Sequence, residues 1–306
     1  MSPERPAGAS AGERVAPARL DLLRHDAESL SQRLPALLVE ADRVAATVVQ
    51  GVHGRRRTGV GETFWQFRAY QAGDDAHDID WRQSARSRHL FIREQEWEAA
   101  ESVWLWCDLS PSMSYRSGPK LPTKRDRSLV LLLALADLLV RGGERVAFLG
   151  AGERPRGGRH GLNALARTIA SIEPGPLPPE APLPRFARLA LLSDFLQPLP
   201  VLEQRLNRYR GVGGRGCLLQ VCDPAEEELP WHGRMLFEGM EREGRQLIGN
   251  VGSIRAQYQA RFAAHRATLA QSAVRTGWSF AAHRTDSPPQ AGLLTLFQML
   301  APRTVT

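Results

Sequence analysis

The chain has 306 residues, a formal net charge of +7 and 42% hydrophobic residues. That length suits one large domain or two modest ones, and the apolar share excludes a wholly disordered chain. No stretch reaches the ~18 uninterrupted apolar residues of a membrane span. The nearest, 129–140, contains Asp137, and the N-terminus has no apolar core like a signal peptide's. We therefore expect a cytoplasmic protein with no membrane span. Cys107, Cys217 and Cys222 have no metal-type spacing, and their odd number argues against a disulfide framework. They are expected to be reduced core residues. The surplus charge is scattered arginine, which predicts a solvated surface more than a nucleic-acid face.

Residues 1–20 are rich in Ala, Pro and Gly and are expected to form a disordered tail. Leu30, Leu34, Leu37, Leu38, Ala41, Val44, Ala45 and Val48 recur at helical spacing and predict a helix over about 26–49. Residues 51–61 form a basic, glycine-containing loop with Arg55, Arg56 and Arg57. A phosphate contact and a plain solvated loop are both open there. The densest stretch is 63–93, with Phe64, Trp65, Phe67, Arg68, Tyr70, Gly73, Asp74, Asp75, Ile79, Asp80, Trp81 and Arg82. Its aromatics, arginines and aspartates alternate too closely for an amphipathic helix, and Gly73-Asp74-Asp75 reads as a turn. The pattern predicts a partly buried network, with Arg68 paired to Asp74 or Asp80 and stacked on Trp81. Such networks are more often structural than functional. A short strand over 89–93 closes this 21–100 region.

From 101 to 306 the pattern alternates strand and helix. Strands are predicted at 103–107, 145–149, 189–192, 217–221 and 278–282, with a hairpin at 234–237 and 245–248. Helices are predicted at 124–141, 163–172, 199–209, 253–275 with Ser253 as N-cap, and 289–300. This alternation implies an α/β fold: a mostly parallel sheet with helices on both faces, preceded by a helix and a small motif-bearing N-terminal element.

Asp108-Leu109-Ser110-Pro111-Ser112 follows the apolar run 103–107. It is thus expected just past the carboxyl end of a buried strand, where open α/β sheets bind ligands. One carboxylate and two hydroxyls at alternate positions offer hard oxygen donors suited to Mg²⁺ or Mn²⁺. A Ser- and Asp-rich turn is the plain alternative. Asp194 also follows an apolar strand and should reach the same edge. Asp108, Ser110, Ser112 and Asp194 are therefore the candidate metal ligands. An aspartyl phosphatase usually has a second acid two residues after its nucleophile, but Ser110 stands there. The glycines of 211–216 fit G-x-G-x-x-G but precede a strand, so they read as a turn. There is no P-loop, HExxH or G-x-S-x-G motif.

These residues resemble two known patterns. Asp108-Leu109-Ser110-Pro111-Ser112 with Ser193-Asp194 resembles the metal-ion-dependent adhesion site (MIDAS) of von Willebrand factor A domains. Arg68, Tyr70, Gly73, Asp74, Ile79, Asp80, Trp81 and Arg82, followed by Ala85 and Arg86, resemble the defining motif of the bacterial domain-of-unknown-function 58 (DUF58) family. The match runs over about 51–223. The resemblance implies a von Willebrand factor A-like (Rossmann-like) domain over 101–306. It implies Mg²⁺ or Mn²⁺ as the ligand of Asp108, Ser110, Ser112 and Asp194. It also implies a non-catalytic protein-interaction module or adaptor, partnered by a MoxR-type AAA ATPase. The adhesion site's usual threonine is missing, and the loop expected to supply it, 152–161, offers Arg159 and His160. Arg159 could then stand in for the metal's charge. Two rival functions remain: a Mg²⁺-dependent phosphoryl hydrolase, for which no general base is evident, and a nucleic-acid binder using 55–57 and 82–88.

Overall fold

The structure is a computed structural model that describes residues 39, 43–46, 64–69, 81–86, 90–95, 102–173, 175–241 and 244–300. The expected tail and the loop at 51–61 lie outside the described residues. So does most of the expected first helix, although 39 and 43–46 are helical, with Val44 and Ala45 in the core.

Strands β1 (Phe64–Ala69) and β2 (Phe91–Gln95) pair antiparallel, with a register irregularity between Phe64 and Gln66. The short helix α1 (Trp81–Ser84) precedes β2, and the Ser84 hydroxyl accepts the Phe91 N–H at 2.9 Å. β2 starts later than the strand expected at 89–93. Arg68 lies on β1, while Tyr70, Gly73, Asp74 and Asp80 lie outside the described residues. Trp81 is 65% exposed, so the burial expected of its ring is not found, and Arg82 beside it is exposed.

The main sheet begins with β3 (Ser102–Cys107), followed by a 3-10 turn (Pro111–Ser114) and helix α2 (Lys124–Arg141). Then come β4 (Arg145–Phe148), α3 (Gly158–Ser171), β5 (Arg188–Ser193), α4 (Leu199–Gly211), β6 (Arg215–Cys222) and the short α5 (Pro224–Glu228). An antiparallel hairpin of β7 (Met235–Glu238) and β8 (Arg245–Ile248) leads to α6 (Val251–Arg275), β9 (Ser279–Arg284) and α7 (Pro289–Leu300).

The sheet has five strands in the order β4-β3-β5-β6-β9, and every pair is parallel. Its strands are continuous apolar runs because both faces are covered. From Val103 to Cys107 and from Leu189 to Ser193 every residue is buried. Counted within the sheet, this is the doubly wound order 2-1-3-4-5. Connections leave β3 in one direction and return past it to β5, so the switch point lies between their carboxyl ends. Gly216 on β6 permits close packing: a Cβ there would stand 2.1 Å from the Leu189 carbonyl oxygen and 2.9 Å from the Trp278 ring.

Two element starts differ from expectation. α3 begins at Gly158, ahead of 163, because its first turn is exposed and carries no apolar period. Arg159 and His160 therefore stand on an exposed helical turn and not in a loop. α6 is capped by Asn250, whose side chain accepts the Gly252 N–H at 3.0 Å. Ser253 instead donates its hydroxyl to the Asn250 carbonyl at 2.7 Å. The three cysteines are free and buried, as expected.

His283 on β9 is 5% exposed and packs so tightly on α7 that a Cβ at Gly292 would stand 2.9 Å from its Nδ1. Burial, and then the Arg127 charge, depress its pKa from 6.5 to about 4, against a weaker upward pull from Asp286. The unfolded chain binds this proton more readily, so stability is expected to fall as pH drops from 6.5 to 4. The slope is at most about 1.4 kcal/mol per pH unit. Thermal melts of His283→Leu across that window should show a flatter profile than the parent chain.

Candidate functional site

The four expected ligands do converge on the switch point. Asp108 follows β3 and Asp194 follows β5, with side chains 0% and 1% exposed. Parallel strands deliver their ends to one edge, which is why two residues 86 positions apart in sequence become neighbours. One Asp108 carboxylate oxygen accepts the Ser110 N–H at 2.8 Å, closing an Asx turn. The other accepts the Ser193 hydroxyl at 2.8 Å and the Gln197 amide at 3.4 Å. The Ser110 and Ser112 hydroxyls lie 3.1 Å apart. Burial, opposed by the Ser110 hydrogen bond and reinforced by the Asp194 charge, pushes the Asp108 carboxyl up from 3.8 to about 6.

The turn after β5 is unusual. Phe195 is fully buried yet has φ 49°, the left-handed region that a bulky side chain seldom adopts. Three bonds hold it there. The Ser193 hydroxyl accepts the Phe195 N–H at 3.0 Å, and Asp194 accepts the Leu196 N–H at 3.2 Å. His265 of α6 lies 2.7 Å from the Phe195 carbonyl oxygen.

The residue that sequence reasoning missed is Lys124, the first residue of α2. Its ammonium lies 2.8 Å from an Asp194 oxygen and 2.5 Å from a Glu226 oxygen, with its side chain only 1% exposed. Burial by itself would depress this pKa, but the Asp194 and Glu226 carboxylates outweigh burial and raise it. For Glu226 burial prevails over the lysine's charge, so its carboxyl is raised. The other Glu226 oxygen accepts the Asp223 N–H at 2.9 Å, half of a capping box that starts α5. Asp223, at the end of β6, accepts the Ser117 and Ala225 N–H groups, each at 2.9 Å.

A signal for this arrangement was present in the sequence. Lys124-Arg125-Asp126-Arg127 opens a helix, where the macrodipole disfavours positive charge. All three cations are buried, and each bonds to a different part of the sheet's carboxyl edge. Arg125 donates to the carbonyls of Leu109 and Ser110 at 2.9 and 3.1 Å. Arg127 donates to the carbonyls of Thr285 and Ser287 at 3.0 and 3.1 Å. Lys124 ties the ends of β5 and β6. The helix start thus staples the loops after β3, β5, β6 and β9 together.

The chain matches the family described as a protein of unknown function, DUF58, over residues 66–268. It belongs to that family. The DUF58 match spans both the β1–β2 ribbon and the switch point. Uncharacterized protein Mb1516 of Mycobacterium bovis and uncharacterized protein Rv1480 of Mycobacterium tuberculosis are each 27% identical over 286 residues. Those alignments cover 87% of this chain and 88% of each relative. An uncharacterized membrane-spanning protein from Vibrio fischeri aligns with a TM-score of 0.18 and 14% identity over 66% of this chain and 100% of its own, a likeness that carries no argument. Among the described residues no helix is long and apolar enough to cross a membrane.

The adhesion-site resemblance implied a divalent cation at Asp108, Ser110, Ser112 and Asp194, and a buried ammonium already stands against one of those four. Asp194, needed as the second carboxylate, already neutralises Lys124. A divalent ion there would sit beside a buried ammonium in a medium of low dielectric, which repels it. Arg159, expected as a substitute cation, is exposed on α3 instead.

Proposed function

We propose that this chain is a non-catalytic interaction module of the von Willebrand factor A type, an adaptor that docks a MoxR-type AAA ATPase at its switch-point edge. The observation that carries this reading is the strained Phe195 turn at the site where doubly wound sheets bind ligands. Left-handed backbone at a buried bulky residue costs on the order of 1–3 kcal/mol, and such strain concentrates at binding and switch regions. The turn presents Leu196, 45% exposed, on the rim above Asp194. Ser112 and Gln197 stand half-buried on the same rim. The polar groups below them are bonded to one another, and the Ser193 hydroxyl that donates to Asp108 is fully buried, out of reach of a substrate, which favours docking over turnover.

The test is biolayer interferometry between the full chain and a purified MoxR-type ATPase from the same organism, with and without ATP. Saturable binding is expected, and Leu196→Asp should weaken it about tenfold, a loss of about 1.4 kcal/mol at a rim position. No binding in either nucleotide state sinks the adaptor reading.

A further inference from the structure

We propose that the Lys124 ammonium is the resident cation of the switch-point edge, so that this edge is built and recognises its partner without a divalent metal. The inference deepens the docking reading and rests on it for the partner clause alone.

Three observations converge. The first is position. Lys124 reaches from the start of α2 into the space between the ends of β5 and β6 and meets Asp194 and Glu226 together. A metal ion bridging two loops plays the same electrostatic role, since it is one positive centre shared by carboxylates from separate chain segments. The second is prior engagement. Asp194 also accepts the Leu196 N–H, Glu226 the Asp223 N–H, and Asp108 the Ser110 N–H and Ser193 hydroxyl. Each of these three carboxylates thus already accepts donors of this chain on both oxygens. The third is cost. A lysine at the first position of a helix opposes the macrodipole, and burial opposes its charge. Both costs are offset only because two carboxylates receive it.

The consequence concerns recognition. A metal-bearing edge recruits an acidic side chain of its partner into the ion's open coordination position. Here the cation is enclosed and offers no open position. The partner then reads the rim formed by Ser112, Leu196 and Gln197.

The experiment titrates Mn²⁺ alone into the full chain, followed by electron paramagnetic resonance and by thermal melting against an EDTA control. The expected result is that the parent chain shows no saturable bound Mn²⁺ and no shift in melting temperature. In Lys124→Ala, which vacates the space and leaves Asp194 and Glu226 unpaired, Mn²⁺ is expected to raise the melting temperature saturably. Saturable Mn²⁺ binding by the parent chain that is lost in Asp108→Asn overturns the proposal. If Lys124→Ala does not fold, the parent-chain titration still decides. ATPase binding that persists in EDTA supports the partner clause. Binding that requires Mg²⁺ overturns it while leaving the adaptor reading intact. Failure to bind under both conditions overturns the adaptor reading and leaves the Mn²⁺ result standing on its own.

Discussion

Replacing Lys124 by Met is expected to destabilise the chain by about 3–5 kcal/mol, the usual consequence of removing one member of a buried ion pair. The methionine would fill much of the volume, so the loss is electrostatic. It would leave the Asp194 oxygen, 2.8 Å from the ammonium, and the Glu226 oxygen, 2.5 Å from it, without their cation. Asp194 is 1% exposed, so water cannot replace the lysine there without opening the edge, and Glu226, at 16%, gains only partial hydration. Adding Asp194→Asn to Lys124→Met should recover part of the loss, because the uncompensated charge is then gone. A double-mutant cycle in urea measures that coupling. Lys124→Arg should cost less than Met, since it keeps the charge but must fit a planar fork where a point charge sat. Because pairing raises the folded-state pKa of Lys124, its contribution is fully present below the unfolded value of 10.5 and is lost only as pH rises beyond that. Toward pH 5 the penalty of Lys124→Met should shrink, because the Glu226 carboxyl, already raised by burial, takes up a proton once its cation is gone, and between pH 7 and 9 it should be nearly constant. A penalty that vanished in that window would show that the lysine is not the charged partner described here.

The second large effect is expected at the middle of α2. Leu131, Leu132 and Leu135 are fully buried, and every residue from Lys124 to Leu139 of this 18-residue helix is buried. The helix packs on β3, β4, β5 and β6 and is also in contact with α3 and α7. A helix enclosed on all sides cannot relax into solvent when a side chain is removed. Leu135→Ala should therefore cost about 2–5 kcal/mol, the transfer term plus that of an uncollapsed cavity. At the size of this chain each kcal/mol corresponds to roughly 2–4 °C in melting temperature. The two substitutions differ in what they do to docking. Leu135→Ala should lower the amount of folded protein without changing affinity per folded molecule, because it lies away from the edge. Lys124→Met should change both, because the loop that carries Leu196 loses its anchor. Equal affinities for the two variants, at matched folded fractions, would separate Lys124 from docking.

Much of the fold was legible because its signals are local. The all-round apolar run of α2, the short apolar strands and the glycines after Arg141 each decide a nearby conformation through burial or backbone freedom. The carboxyl-edge position of Asp108 and Asp194 was legible as well, since alternating strand and helix dictate parallel strands, and parallel strands end together. The exact start of α6 was not. Asn250 and Ser253 are both good caps, and the burial of Val251 selects between them.

Alternating apolar strands and helices are thus enough to imply an α/β chain whose two aspartates meet at one edge of a parallel sheet. What those aspartates face is settled by contacts far apart in the chain. Lys124 meets Asp194 across 70 positions and Glu226 across 102, and no local periodicity encodes such a pairing. Three cations in the first turn of a helix look unfavourable when the helix is considered alone. They become stabilising only when the loops after β3, β5, β6 and β9 bring carbonyls and carboxylates to them. The physical reason is range: hydrophobic periodicity acts within a turn or two of chain, whereas a buried charge is settled by whatever the completed fold places within about 3 Å of it.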